Sequence, residues 1–231
     1  MNNEIFAQGL CFYKLFCTFV IGAVIGDMVE TIFCYHKYKK WMSRSSFIYG
    51  HMSIVWGFAF SLATILAYYI KNIGVIAISI IGTIFGGIYE YMCSVFTETF
   101  MGVKFWDYSK MPYNIAGRIN LKYCFYWGMA TVIWIKIMFP ILEIGIEKIP
   151  IVPGTMICNL VCFFLVIDAI LSIMAIKRYI ERSKGKYSKG KIWRFLDYFY
   201  PDRKIEKIYP HLKICEEVKR KKDVCEIVQL N

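Results

Sequence analysis

The chain has 231 residues, 58% of them hydrophobic and 18% aromatic, with a formal net charge of +11 and a mean hydropathy of +0.46. Soluble domains are about 45–50% apolar, and the excess here is gathered in runs near the ~20 residues that cross a bilayer. This excludes an ordinary soluble enzyme. The lack of short alternating segments excludes a transmembrane β-barrel, and the basic residues, with no nucleic-acid module beside them, suit the anionic lipids of an inner leaflet.

The opening MNNEIFAQ is not basic, and Lys14 is the only positive charge before the first apolar run, so no cleavable signal peptide is expected. The apolar runs predict five spanning helices, at roughly 15–34, 49–70, 75–96, 121–142 and 155–176. Helix one carries Asp27 and Glu30; the connection after it holds Lys37, Lys39, Lys40 and Arg44, flanked by His36 and His51, which are expected to be solvated. Helix three carries Glu90, with Glu98 two turns on. The next connection contains FWDYSKMPYNIAGR, with Asp107, Ser109, Asn114 and Arg118; Pro112 and Gly117 predict a compact turn. Trp106, Tyr108 and Tyr113 are placed at the headgroup level. Lys136, near the far end of helix four, is expected to snorkel, and Asp168 inside helix five either joins a polar pocket or pairs with Lys136.

Residues 1–176 therefore form an all-α polytopic membrane bundle and 177–231 a basic tail, which holds 16 of the 28 Lys and Arg residues. The connections on the opposite side hold only Lys71 and Lys148. Positive charge stays cytoplasmic, so the N-terminus is expected outside and the C-terminus inside. In the tail, Ile192, Phe195, Leu196 and Phe199 share a helical face beside Trp193, which fits an amphipathic helix at the inner leaflet or one packed under the bundle. Pro201 and Pro210 bracket a further short helix.

Helices one and three share a pattern. IGAVIGDMVE and IGTIFGGIYE both read Gly-x3-Gly-x3-Glu, as Gly22, Gly26, Glu30 and Gly82, Gly86, Glu90, at an offset of 60 residues. Arg44 and Trp56-Gly57 follow the first copy, and Arg118 and Trp127-Gly128 the second. This predicts two parallel-repeat hairpins, with the glycines packing helix one on helix three. Each glutamate falls about 22 Å along its helix, in the cytoplasmic third of the bilayer. Charges there are functional hypotheses by default. The expected site is a cytoplasm-facing pocket walled by Glu30, Glu90 and Asp27, closed by Arg44 and Arg118, and elaborated by Asp107 and Asn114. Alternatively, each Glu–Arg pair only locks a helix to its loop.

Cys17, Cys93, Cys158 and Cys162 lie in apolar runs, where packing is the expected role; no metal site is expected from the Cys158–Cys162 spacing, nor a disulfide between Cys215 and Cys225 in a reducing tail.

The stretch FWDYSKMPYNIAGRINLKYCFYWG resembles the signature of the putative ABC-transporter type IV membrane proteins, a bacterial family. The resemblance rests on Glu30, Arg44, Tyr49-Gly50, Trp106-Asp107-Tyr108-Ser109, Pro112, Asn114, Gly117, Ile119 and Trp127-Gly128, and covers most of 15–145. The first loop, SRSSFIYGHMSIVWG, departs from the family's Asn-Arg-Gly start and its prolines around Tyr-Gly. The resemblance implies a multi-pass bacterial plasma-membrane protein of transporter or permease type. The chain has no G-x4-G-K-[ST], so an ATP-driven process needs a separate ATPase subunit. A membrane-embedded enzyme or lipid-headgroup binder is the second reading, although H-E-x-x-H, G-x-S-x-G and paired magnesium aspartates are missing. A regulatory scaffold with the tail as docking surface is the third. No cofactor and no catalytic group is indicated.

Overall fold

The computed structural model describes residues 5–186 and 190–215; Cys225 and the final basic run lie outside the described residues. The described residues are mainly helical, with four two-residue strands. Its helices are α1 (Phe12–Tyr38), α2 (Ile54–Ile70), α3 (Val75–Phe96), α4 (Leu121–Ile133), α5 (Phe139–Glu147), α6 (Ile151–Ser183), α7 (Lys191–Phe199) and α8 (Asp202–Ile208). The strands β1 (Val103–Lys104) and β4 (Lys213–Ile214) pair antiparallel, as do β2 (Asn114–Ile115) and β3 (Ile119–Asn120).

Two helices carry a widened turn. α3 runs on through π-helical Thr97–Met101 and stops at Gly102, whose φ of 69° closes the turn. α4 and α5 are joined by π-helical Trp134–Met138 into one helix, Leu121–Glu147. Pro140 explains the second. A proline inside a helix has no N–H to donate and its ring crowds the carbonyl four residues back, here that of Lys136. The wide turn bonds the Phe139 N–H to the Trp134 carbonyl instead, relieving the crowding.

Four helical stretches, Phe12–Tyr38, Val75–Met101, Leu121–Glu147 and Ile151–Ser183, are long and apolar enough to cross a membrane. α2 is apolar but has 17 residues, about 26 Å. It starts later than hydropathy predicts because the apolar Phe47–Met52 stretch is folded as a loop around Ser45. The Ser45 Oγ accepts from the N–H groups of Phe47 and Met52 and meets the carbonyls of Phe47, Gly50 and Met52. Helices three and four begin where the sequence predicts, at Val75 and Leu121; Asn120 caps the latter by accepting from the Lys122 N–H.

One apolar cluster joins α2, α3 and the α4–α5 helix through Phe60, Ala67, Ile78, Trp134 and Phe139. Trp134 is fully buried, and its indole N–H donates to the Thr64 Oγ1 at 3.0 Å. Outward faces stay apolar: Ile76, Ile80, Ile84 and Ile88 recur every four residues on α3, all exposed. A polar backbone wrapped in exposed isoleucine is what hydrocarbon selects. The tail helices fold back under the bundle, where Leu196, Tyr200, Ile205 and Tyr209 pack on Val103, Ala175 and Ile176. The sequence-derived boundary at residue 177 thus falls inside α6, which runs unbroken to Ser183.

Candidate functional site

The glycines set the site's geometry, but against different partners from those expected. A Cβ on Gly22 would sit 2.6 Å from the Phe60 side chain, and one on Gly26 would overlap the Trp56 ring. A Cβ on Gly82 would sit 2.6 Å from Thr131, and one on Gly86 would overlap Trp127. Each glycine pair therefore lets α1 close on α2, and α3 close on α4. The expected α1–α3 packing across these glycines is replaced by packing within each hairpin, because Trp56 and Phe60 of α2 and Trp127 and Thr131 of α4 occupy the space the missing side chains leave. Gly57 and Gly128 complete the fit, against Phe19 and Ser79.

These two tryptophans reach the two glutamates. The Trp56 indole N–H donates to Glu30 at 2.6 Å, and the Trp127 indole N–H donates to Glu90 at 2.9 Å. The Trp56 and Trp127 rings then lie against each other, their centroids 4.9 Å apart. Glu30 and Glu90 are therefore gathered around one aromatic pair between the hairpins.

Their other partners differ. Glu30 takes a salt bridge from Arg44 Nε at 3.2 Å. Glu90, buried, accepts from the Tyr108 hydroxyl at 2.8 Å and has no guanidinium of its own. Arg44 makes its contact with Glu30, and acts on Glu90 only at longer range. Asp27, one turn before Glu30, is buried and anchors the Arg44 loop. It accepts from Ser43 Oγ at 2.8 Å and the Arg44 N–H at 3.1 Å, with His51 Nδ1 at 3.8 Å. Arg44 also donates to the Phe105 carbonyl at 3.0 Å, joining the first loop to the second.

Arg118 is placed elsewhere. It forks onto Glu98, Nε to Oε1 at 3.2 Å and Nη2 to Oε2 at 3.0 Å, and a third N–H reaches the Tyr91 hydroxyl. Lys104 adds a second cation to Glu98 at 3.4 Å. The Glu98 hydrogen bonds raise the Arg118 pKa. Tyr108, expected as a headgroup anchor, points inward to Glu90 with its ring 4.8 Å from Tyr123, and burial raises its hydroxyl pKa. It occupies the place beside Glu90 that Arg118 was expected to fill.

The rest of the FWDYSKMPYNIAGR loop holds its own shape. Tyr113, Ala116 and Gly117 take left-handed backbone at φ of 56°, 53° and 68°. Asn114 fastens the turn, donating to the Met111 carbonyl at 2.7 Å and accepting from the Gly117 N–H at 2.9 Å. Asp107 accepts from the Ser109 N–H and Oγ. Burial opposes ionisation of Asp107, and the two Ser109 donors outweigh it, holding the carboxyl below its usual range. Asp107 and Asn114 are thus loop fasteners, apart from the glutamate pair. Trp106 donates to the Arg118 carbonyl at 2.9 Å, and Trp193 lies under the Arg178 guanidinium at 5.5 Å.

Asp168 neither joins the glutamates nor pairs with Lys136. Its Oδ2 accepts from the Tyr49 N–H at 3.2 Å, and Ser172 beside it accepts from the Ile48 N–H, so α6 grips the first loop. Lys136 donates to the carbonyls of Lys71 and Ile73, as a snorkelling lysine does.

Two charged clusters escape sequence reasoning because their partners are distant in the chain. At the far end of α1, fully buried Lys14 meets Glu147 at 2.6 Å and Glu143 at 3.3 Å, and the Tyr68 hydroxyl donates to Glu143. At the tail, Arg178 and Arg182 both hold Asp197 at 2.7 Å, and Arg182 also holds Asp202. Among the described residues, no cluster of three His, Cys, Asp or Glu side chains is arranged to hold a metal ion.

Long apolar helices, lipid-facing isoleucines and buried carboxylates at one end of the bundle define a polytopic helical membrane protein. Within that class, the family described as putative ABC-transporter type IV matches residues 17–173, from α1 to α6, and the chain belongs to it. No curated protein and no solved structure matches the chain.

Proposed function

We propose that the chain is a permease-type membrane component whose working centre is Glu30 and Glu90, with Arg44 paired to Glu30. One observation carries this reading. Two carboxylates from separate hairpins are each held by one of two touching tryptophans, with the Arg44 guanidinium on Glu30. Carboxylates in hydrocarbon are costly, and a fold that only needed to lock helices to loops would do so with Glu98 and Arg118 alone.

The same reading has five spans, with α2 crossing beside α1, the N-terminus outside and the tail in the cytoplasm, where the Arg44 loop, the Asp107 loop and most basic residues gather. It also has a parallel repeat. Every contact of Gly22, Gly26, Glu30 and Phe19 with α2 has a counterpart of Gly82, Gly86, Glu90 and Ser79 with α4. An ATPase subunit, which this chain lacks, docks on the cytoplasmic loops, and the apolar outer face of α7 (Ile192, Phe195, Phe199) rests on anionic inner-leaflet lipid.

The test is affinity purification of the full chain from its native membrane. An ATP-hydrolysing partner is expected to copurify. The double variant Glu30→Gln/Glu90→Gln is expected to insert and keep that partner, yet lose coupled activity. A double variant that works like the parent defeats the assignment of the centre. Absence of any ATPase, with growth depending on the chain, defeats the permease reading.

A further inference from the structure

The opposite end of the bundle holds a pair of side chains that the polar centre does not use. Cys17, in the second turn of α1, and Cys158, in the third turn of α6, bring their sulfurs to 3.7 Å, although they lie 141 residues apart in sequence. Both are free thiols, within a small apolar cluster that includes Phe6, Ala7 and Ile146. Two thiols already in contact from different helices are placed to close to the ~2.05 Å of a disulfide. At the Glu30 end, Cys34 faces His211 at 4.0 Å, and Cys124 lies over Gly87.

We propose that Cys17 and Cys158 form a disulfide in the native membrane, stapling α1 to α6 on the outer side. The proposal rests on the orientation given above, which puts this end towards an oxidising compartment, where disulfides persist. One thiolate attacks the disulfide of an extracytoplasmic dithiol–disulfide oxidant and forms a mixed disulfide. The second thiolate displaces the oxidant's sulfur. The pair loses two protons and two electrons, and the oxidant leaves as a dithiol. The link holds α6 in register with α1, and α6 carries Asp168 and the arginines that seat the tail.

Cells carrying the full chain are denatured directly in excess N-ethylmaleimide, then reduced, and newly freed thiols are labelled with a heavy isotope form of the reagent. Mass spectrometry is expected to find heavy label on Cys17 and Cys158 and light label on Cys93 and Cys124. Without reduction, a linked Cys17–Cys158 peptide pair is expected. Cys17→Ser is expected to leave Cys158 light, while Cys11→Ser and Cys162→Ser leave the link intact. Light label on both Cys17 and Cys158 in the parent overturns the proposal. In that event, iodine treatment of isolated membranes separates the causes. A link that forms there keeps the helix pairing and faults the orientation; no link faults the pairing itself.

Discussion

At the scale of single residues, the glutamates owe their setting to glycines and tryptophans more than to arginines. Gly26 and Gly86 admit the Trp56 and Trp127 rings, and those rings deliver the indole N–H groups. A methyl at Gly86 displaces Trp127, so Gly86→Ala should destabilise the purified protein by about 1–3 kcal/mol, the usual cost of overpacking. Gly145→Ala, which meets open space, should not. Thermal unfolding in detergent followed by tryptophan fluorescence compares the two. Trp127→Phe removes one of the two donors to Glu90 and should cost about 1–3 kcal/mol in the same assay, more than Trp106→Phe, whose donor serves only a loop carbonyl. The glycines and glutamates were legible in sequence because they recur at an offset of 60 residues, and the tryptophans more loosely, through the Trp-Gly pair that follows an arginine in each copy. The arginines' choice was not. Arg44 finds Glu30 as the pattern suggests, whereas Arg118 is taken by Glu98 and Tyr108 fills its place, and no spacing rule anticipates where a wound loop of left-handed residues will point a long side chain.

At the scale of elements, the tail is held by charge. Arg178 is 1% exposed, and Asp197 bridges it to Arg182, so α7 is tied to the end of α6. The Arg178 hydrogen bond, ahead of the other contributions, pulls the Asp197 carboxyl from 3.8 down to about 2. A depressed carboxylate contributes stability that is present above its unfolded value and lost as pH falls through the folded one. The tail should therefore stay seated at pH 5 and come loose between about pH 4 and pH 2, with Asp197→Asn loosening it at neutral pH. Hydrogen exchange at the α7 and α8 amides reads both. Burial raises the Tyr209 hydroxyl to about 12, so that contact does not titrate in this window. Helix starts at Val75 and Leu121 were legible because hydropathy changes sharply there. The late start of α2 was not, because Phe47–Met52 is apolar yet wound on one serine hydroxyl, an arrangement hydropathy does not register. The seating of Leu196 under the bundle was only half legible: the amphipathic face was evident, and what it packs on was not.

At the scale of the whole molecule, each end of the bundle has its own charge cluster, Glu30, Glu90 and Arg44 at one and Lys14, Glu143 and Glu147 at the other. The second was invisible in sequence because Lys14 lies 129 and 133 residues from its partners. Lys14→Met leaves two carboxylates without their cation, and breaking such a pair costs towards the lower end of about 3–5 kcal/mol, since both glutamates are partly solvated. Chemical unfolding in detergent should show the loss, and Lys14→Met combined with Glu143→Gln and Glu147→Gln should recover much of it. The widened turn at Trp134–Met138 gives this cluster a mechanical meaning. A helix interrupted by a proline and a wide turn is a rod with a compliant joint, and the nine residues beyond the joint, Phe139–Glu147, form a short lever. The lever's free end is held to the rest of the bundle by the Lys14 ammonium group, the Tyr68 hydroxyl and the packing of Ile146 on Phe6 and Ala7. The polar part of that hold rests on one lysine, so a single substitution at Lys14 loosens the lever's end, while the part of the helix carrying Trp127 keeps its fit against Gly86.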